Sequence, residues 1–223
     1  MKRPELLAAW RSLVDDEAQP YLWDDDDAQR YLDAAHREAA ARARLIRDST
    51  TAAVCSVAVV ANTAGYALHA SIIDVERAKL STDTETLELT STEELDRTAP
   101  GWESLTGSPS HLALDREGLT FKATLAAKPS AASTMSLVVF RLPLASINSD
   151  DDSPEFAEQW HYGLIKWMAH LSYCKQDAET RNDAKAKQYA DEFTEEFGQR
   201  PDANVARKRA DRRSSRTRFR ELG

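Results

Sequence analysis

Apolar residues in the first fifteen positions recur every three or four residues, a spacing that places them on one face of a helix. They are Leu6, Leu7, Trp10, Leu13 and Val14. Pro4 lies just ahead of them, where the first turn of a helix tolerates proline. The pattern predicts an N-terminal amphipathic helix that ends before the Gln19-Pro20 pair.

A second apolar stripe, richer in alanine, follows a run of four aspartates. Its members are Ala28, Leu32, Ala35, Ala39, Ala43 and Ile46. Asp24 is a favourable N-cap, and carboxylates at positions 25–27 suit the positive end of the helix dipole. We expect a long amphipathic helix from about Asp25 to about Arg47.

The middle of the chain changes to the alternating and continuous apolar runs that are typical of β-strands. Ser91 to Glu94 favour a short helix start, Cys55 falls within a strand, and Asp115–Gly118 predicts a hairpin turn. The runs occupy residues 52–60, 72–80, 86–90, 112–114, 119–125 and 135–142. Short strands at nearly regular spacing predict a small antiparallel sandwich or barrel.

The last third of the chain returns to helical spacing. Residues 148–154 form a linker in which Ser153 can cap a helix and Pro154 suits its first turn. Two apolar stripes follow: Trp160, Leu164, Trp167, Met168, Leu171 and Cys174, and then Ala186, Tyr189, Ala190, Phe193 and Phe197. Gly198 fits a C-cap. We expect a helical hairpin, with the thiols of both cysteines buried.

Together these patterns predict an α+β chain in four segments. The N-terminal helices of residues 1–50 and the C-terminal helical hairpin of residues 148–199 pack together, because each apolar stripe needs a partner. Residues 51–147 form an inserted small antiparallel β sandwich or barrel. Residues 200–223 form an extended basic C-terminal tail.

Charge is distributed unevenly along the 223 residues, whose total is −8. Residues 200–223 carry nine basic and three acidic side chains, a balance of +6 that leaves −14 for residues 1–199. An acidic body is a poor general binder of nucleic acid. The basic tail, by contrast, can bind phosphate or an acidic protein surface.

The tail is the main candidate for a binding site. Arginine outnumbers lysine in it, which suits bidentate pairing with carboxylates or phosphates, and two apolar residues stand among the charges. We predict an arm that becomes ordered on a partner rather than a solvated end. The candidate docking residues are Arg207, Lys208, Arg209, Arg212, Arg213, Arg216, Arg218, Phe219, Arg220 and Leu222.

Trp102 is a second candidate. The core is the default place for each of the five tryptophans, but Trp102 lies in a Pro-Gly-Trp-Glu loop, which makes it the one most expected at the surface or in an interface. The other four tryptophans are expected in the core.

Motifs for catalysis and cofactor binding are missing from the sequence. It has no glycine-rich phosphate loop and no G-x-S-x-G, and its five histidines lack metal-ligand spacing. Capping and solvation explain Asp24–Asp27 and Asp150–Asp152 better than a metal does. No apolar run reaches the roughly 18 residues of a membrane span. We expect no enzyme activity, no cofactor or metal, and no membrane partner.

Short motifs follow one another through the chain in a characteristic order. They are Tyr21-Leu22-Trp23-Asp24-Asp25, Gly65-Tyr66-Ala67-Leu68, the run 72–80, Pro100-Gly101-Trp102, Arg141-Leu142-Pro143-Leu144 and Tyr173-Cys174-Lys175-Gln176. In their order and spacing, over about residues 4–200, the chain resembles the head–tail adaptor (neck or connector) proteins of tailed bacteriophages. Residues 122–133 depart from the proline-bracketed turn that such proteins often have.

The resemblance implies an architectural role. Such adaptors form a closed ring, usually of twelve copies, beneath the portal of the capsid, and the ring continues the channel for double-stranded DNA. The implied partners are the portal protein, a tail, nozzle or tail-tube protein, further copies of the chain, and DNA that passes without sequence-specific binding. The C-terminal segment would dock on the portal, and the β module would face the tail. The implied location is the virion neck, after assembly in the host cytoplasm.

Two other hypotheses remain open at this point. The first is a DNA-binding module that acts through the basic tail, whose affinity would fall steeply with salt. The second is a small hydrolase that uses the carboxylates of Asp24–Asp27 or Asp150–Asp152.

Overall fold

The computed structural model describes residues 1–117, 120–176 and 181–202, which divide between two compact units. The helical unit combines Met1–Ile46 with Arg141–Arg200, and the β unit comprises Arg47–Phe140. The chain is therefore of the mixed α+β class, as predicted.

The described residues form six α-helices, ten short strands and two 3₁₀ turns. The helices are α1 (Arg3–Val14), α2 (Asp25–Ala43), α3 (Ala52–Cys55), α4 (Thr92–Thr98), α5 (Leu164–Cys174) and α6 (Asp183–Phe197). The strands are β1 (Arg47–Asp48), β2 (Ser56–Val59), β3 (Gly65–Ala67), β4 (Ile72–Leu80), β5 (Glu88–Thr90), β6 (Thr106–Gly107), β7 (His111–Glu117), β8 (Thr120–Leu125), β9 (Lys128–Pro129) and β10 (Ser133–Arg141). The 3₁₀ turns are Trp102–Ser104 and Glu158–Trp160.

Local signals set the start of α2 as the sequence predicts, but not its end. The side chain of Asp24 accepts a hydrogen bond from the backbone N–H of Asp27, which is the predicted N-cap. The helix ends at Ala43, earlier than predicted, because Arg44 takes a left-handed conformation with φ 52°. The chain then turns so that the carbonyl of Ile46 accepts from the backbone N–H of Arg141.

The helical unit is built around an aromatic and aliphatic core in which α5 packs against α1, α2 and α6. Ala28, Ala35 and Ala39 of the α2 stripe are fully buried, and their small side chains let α5 approach closely, whereas Ala43 is exposed. The indole N–H groups of Trp10 and Trp23 donate to the Oγ and the carbonyl of Ser172, both at 3.1 Å. These bonds satisfy two polar groups that would otherwise be costly to bury.

The predicted helix start at Pro154 is wrong, because α5 begins ten residues later, at Leu164. Long-range contacts hold the intervening chain in another conformation. The carboxylate of Glu155 accepts from the backbone N–H groups of Leu144 and Ala145, and its own N–H donates to Nε2 of His36. The helical hairpin predicted over 148–199 includes residues 177–180, which lie outside the described residues.

Gly163, directly before α5, lies where another helix comes too close for a side chain. A Cβ atom placed on it would lie 2.6 Å from a ring carbon of Phe197 in α6. The Phe197 side chain is buried in the helical core and has little room to move. A glycine is therefore required at this crossing.

The β unit contains two four-stranded sheets and one two-stranded ribbon. The first sheet has the order β1-β10-β2, with β4 also paired to β10, and the second has the order β3-β8-β7-β5. Their inward side chains form one apolar core that includes Val75, Leu112 and Leu137. β7 and β8 pair antiparallel, from Leu112 opposite Leu125 to Glu117 opposite Thr120, so the predicted hairpin is present. The predicted position of its turn, Asp115–Gly118, is wrong, because residues 115–117 are paired within β7.

The prediction of a purely antiparallel module is wrong in two places. β5 pairs parallel with β7, and β6 pairs parallel with β9. Parallel neighbours need a long crossover, which often carries a helix. Here α4 supplies it between β5 and β7, capped as predicted by Ser91, whose Oγ accepts from the N–H of Glu94.

Two smaller predictions near the cysteines are also wrong. Residues 52–55 form the short helix α3 rather than the start of a strand. The carboxylate of Asp48 accepts from the backbone N–H groups of Thr50 and Thr51 and so turns the chain before it can extend. Cys55 therefore ends a helix and is buried, whereas Cys174 is exposed rather than buried.

Candidate functional site

The predicted docking arm, Arg207–Leu222, lies outside the described residues. The end of α6 and the residues up to 202, which lead to the arm, are described. Gly198 ends α6 with φ 82°, in line with its predicted role as C-cap. One guanidinium nitrogen of Arg42, in α2, donates to Oγ1 of Thr194 at 3.0 Å and to the carbonyl of Gly198 at 3.3 Å. The chain therefore leaves α6 beside α2.

Arg42 is itself held firmly. Its guanidinium lies over the rings of Trp167 and Phe193, 4.6 and 5.1 Å from their centroids. It also pairs with Glu38 at 2.8 Å, and the same carboxylate oxygen lies 3.5 Å from Nε of Arg200. Arg200, the first basic residue of the predicted tail, thus lies beside a carboxylate that also pairs with the stacked Arg42.

The Asp24–Asp27 run is tied to neighbouring cations. Asp25 pairs with Arg11 at 2.8 Å, and Asp27, which is buried, pairs with Lys175 at 2.6 Å and with Arg30. Burial alone would raise the pKa of the Asp27 carboxyl, but the hydrogen bonds from Lys175 and Arg30 outweigh it and lower the pKa. The run therefore caps and anchors α2.

The Asp150–Asp152 run is similarly engaged. Asp150 and Asp151 pair with Arg3 and Lys2 at 2.8 Å each, and Asp152 accepts from the backbone N–H of Ser149 at 2.7 Å. Within the described ranges, no three His, Cys, Asp or Glu side chains come together as a metal site would require.

Two buried histidines enclose a phenylalanine in the helical unit. The ring of Phe156 lies 5.3 Å from that of His36 and 5.7 Å from that of His161. Burial lowers the pKa of His36 to about 4, so the imidazole is neutral at pH 7 and accepts a hydrogen bond from the N–H of Glu155 at 3.1 Å. A helix that began at Pro154 would contain both His161 and His170. In the structure α5 begins at Leu164, so only His170 lies in it.

Trp102 does not lie at the surface, so that part of its prediction is wrong. Its side chain is only 3% exposed and packs with Leu95 and Ala113 in a small core. The indole N–H donates to the carboxylate of Asp96 at 2.9 Å, which secures the loop around it. The turn residues around Trp102 predicted a loop but gave no information about its burial. Leu95 of α4 and Ala113 of β7 cover the side chain.

Several large apolar side chains are exposed instead. They are Leu22, Tyr162 and Leu144 in the helical unit, and Val60 and Leu105 in the β unit. Val60 and Leu105 are more than half exposed. Their exposure depends on tertiary structure, so the hydropathy pattern gave no signal for it.

The β unit also carries an acidic segment that was readable in the sequence but not singled out. Residues 83–103 contain seven acidic side chains and a single basic one, Arg97, a balance of −6. Glu85, Glu88, Glu93 and Glu103 are among the exposed members. A charge count in shorter windows would have found it.

The described residues thus present exposed apolar side chains, an acidic segment and ion-paired helix ends, and no metal cluster. The sequence matches the family model described as SU10 adaptor protein over residues 1–220, and the chain belongs to that family. The resemblance to phage head–tail adaptors is thereby confirmed, and the role that follows is a structural one in the neck of a phage particle. No curated protein matches the sequence. None of the described helices is both long enough and apolar enough to cross a membrane.

Proposed function

We propose that this chain is the head-to-tail adaptor of a bacteriophage virion. Twelve copies would form a closed ring under the portal, join it to a tail, nozzle or tail-tube protein, and continue the DNA channel. The family match over residues 1–220 is the observation that carries the proposal. A ring of identical chains uses head-to-tail contacts that close by rotation. Assembly would take place in the host cytoplasm.

The charge distribution supports a passage for DNA. The −14 carried by residues 1–199 repels the phosphate backbone, so that double-stranded DNA can slide without being held. Sequence-specific binding is not required for this role.

The basic arm is the proposed contact with the portal. Its arginines suit bidentate bonds with carboxylates on an acidic partner surface. The Arg42 contacts to Thr194 and Gly198 support this, because they fix the point at which the arm departs. An arm that becomes ordered on its partner loses conformational entropy, which lowers its affinity, but it can contact a larger surface of the partner.

The alternative is a DNA-binding module, which the +6 balance of residues 200–223 favours. The two functions differ in what the tail recognises. DNA binding would fall with salt at a slope of roughly 0.9 per phosphate contact and would be lost with the tail. Portal binding requires the portal protein.

Native mass spectrometry of the full chain and of a chain that stops after Arg200, each with and without portal rings, separates these functions. We expect the full chain to bind the portal and the shortened chain to fail. A shortened chain that binds equally well would contradict the role of the arm. Failure of both chains, combined with tail-dependent DNA binding, would favour the alternative.

A further inference from the structure

One end of the β unit presents exposed apolar side chains beside acidic ones. Leu105 and Val60 are 56% and 58% exposed. We refer to Val60, Leu105 and their acidic neighbours Asp83, Glu88 and Glu103 as the β-end patch.

Backbone hydrogen bonds bring the two apolar residues to the same end. The carbonyl of Leu105 accepts from the N–H of Lys128 at 2.8 Å, and the N–H of Asn62 donates to the carbonyl of Pro129 at 2.8 Å. The loops that carry Leu105 and Val60 therefore flank the two-residue strand β9. Since neighbouring strands lie about 4.8 Å apart, the two loops are separated by roughly 10 Å.

The carboxylates of the patch are placed by contacts of their own. Oγ of Ser108 lies 3.3 Å from both carboxylate oxygens of Asp83, and Oε2 of Glu88 lies 3.5 Å from Nε2 of His111. Glu103 is exposed two residues before Leu105. An occupant that matches this surface has positive charges around an apolar side chain.

The C-terminal tail has that chemistry. Residues 216–222 place Phe219 between Arg218 and Arg220, with Leu222 two residues further on. The balance of +6 over residues 200–223 equals in size the −6 of residues 83–103. Charge complementarity together with two apolar anchors fits the tail better than charge alone would.

We propose that, in the chain without its portal, the β-end patch binds the C-terminal tail of the same molecule. Phe219 and Leu222 contact Leu105 and Val60, and the flanking arginines pair with the carboxylates. The 21 residues from 203 to 223 reach roughly 70 Å when extended. Attachment to the same chain gives the tail an effective concentration of the order of millimolar, which favours its own patch over that of a second copy.

This inference goes beyond the proposed function, since it concerns the chain in the absence of the portal. A tail held on the β-end patch would be withheld from other partners until the portal competes for it. Failure of the inference would leave portal docking intact, and failure of portal docking would leave the inference intact.

Cross-linking in the full chain tests the proposal. Cys174→Ala removes the exposed thiol, and Ser104→Cys beside Leu105 with Ser215→Cys in the tail supplies a new pair. A short bismaleimide should join the two positions within one molecule, at a yield that does not change on dilution. A matched pair that replaces Ser104→Cys by Gln188→Cys, on the exposed side of α6, should give little product.

Substitutions then identify the contacts. Val60→Ser with Leu105→Ser should lower the cross-link yield by about tenfold, because burial of exposed apolar side chains contributes on that order. Phe219→Ser with Leu222→Ser should do the same. Leu144→Ser with Tyr162→Ser, exposed residues of the helical unit, is the matched control and should leave the yield unchanged.

Three results would overturn the proposal. The first is a yield that the Val60 and Leu105 substitutions do not change, and the second is equal cross-linking to positions 104 and 188. The third is a product that joins two chains. The substituted apolar side chains of the two units are all exposed, so we expect their replacement to leave the fold intact: Val60, Leu105, Leu144 and Tyr162. Circular dichroism of each variant checks that a changed yield does not come from unfolding.

Discussion

Lowering the pH should destabilise the helical unit through His36. This side chain is 1% exposed, and its Nε2 accepts a hydrogen bond from the N–H of Glu155, which a protonated imidazole nitrogen cannot do. Burial lowers its pKa from 6.5 to about 4, an effect that His161 and Arg37 reinforce and that the carboxylates of Glu155 and Asp33 oppose.

The size and sign of the effect follow from linkage between protonation and folding. Between pH 6.5 and pH 4 the unfolded chain binds a proton at His36 and the folded chain does not, so the free energy of unfolding falls as the pH falls. At 1.36 kcal/mol for each pH unit, the loss reaches about 3 kcal/mol at pH 4. The contribution is fully present above pH 6.5. A loss of that size is a large part of the 5–15 kcal/mol typical of a folded domain.

Urea unfolding followed by tryptophan fluorescence measures this loss. Four of the five tryptophans lie in the helical unit, and Trp102→Phe removes the fifth. His36→Gln replaces the imidazole by a group that does not titrate, so between pH 7 and pH 4.5 it should lose about 2 to 3 kcal/mol less than the parent. His69→Gln, a change at an exposed histidine of the β unit, should leave the pH dependence as it was. Parallel losses in the parent and in His36→Gln would refute the reasoning.

Three further substitutions should lower the free energy of unfolding at pH 7, each measured by urea denaturation. Gly163→Ala places a Cβ against the ring of Phe197, and we expect a loss of about 1 to 3 kcal/mol from overpacking. Ser172→Ala removes the acceptor of the Trp10 indole N–H and should cost about 1 to 3 kcal/mol. Asp27→Asn leaves two cations without their carboxylate and should cost about 1 to 2 kcal/mol; the parent's advantage should shrink as the pH falls toward and below 3.8, because the pKa of Asp27 is lowered in the folded state.

Each change has a matched control in the same protein. Gly65→Ala meets only the flexible end of the Lys122 side chain at 3.5 Å, Ser12→Ala alters an exposed serine of α1, and Asp26→Asn alters an exposed aspartate beside Asp27. All three controls should change the unfolding free energy by less than about 0.5 kcal/mol. A control that is as costly as its partner would show that the named contact is not the cause.

Features that depend on a few neighbouring residues were predictable from the sequence. Asp24 and Ser91 cap their helices as expected, and Gly198 ends α6, because capping is a local property of the chain. The nine-residue strand β4 was also found at its full length from β-branched and apolar residues. The mixed α+β class followed from the change in hydrophobic period.

Features that depend on distant contacts were not predictable. Hydrogen bonds of Glu155 keep the segment after Pro154 from forming a helix. One bond joins it to His36, 119 residues away in sequence, and another joins it to the backbone of Leu144, 11 residues away. The parallel pairing of β5 with β7 reflects a choice of neighbour that hydropathy does not encode. Burial of Trp102 and exposure of Leu105 are likewise set by packing.

The mass of the complex formed by the full chain with intact portal rings tests the central proposal most directly. The proposal predicts that native mass spectrometry will show one added ring of twelve chains, about 300 kDa for subunits of 24.9 kDa, with no partly filled complexes at saturation. Addition of single chains in variable number, or none at all, would contradict it.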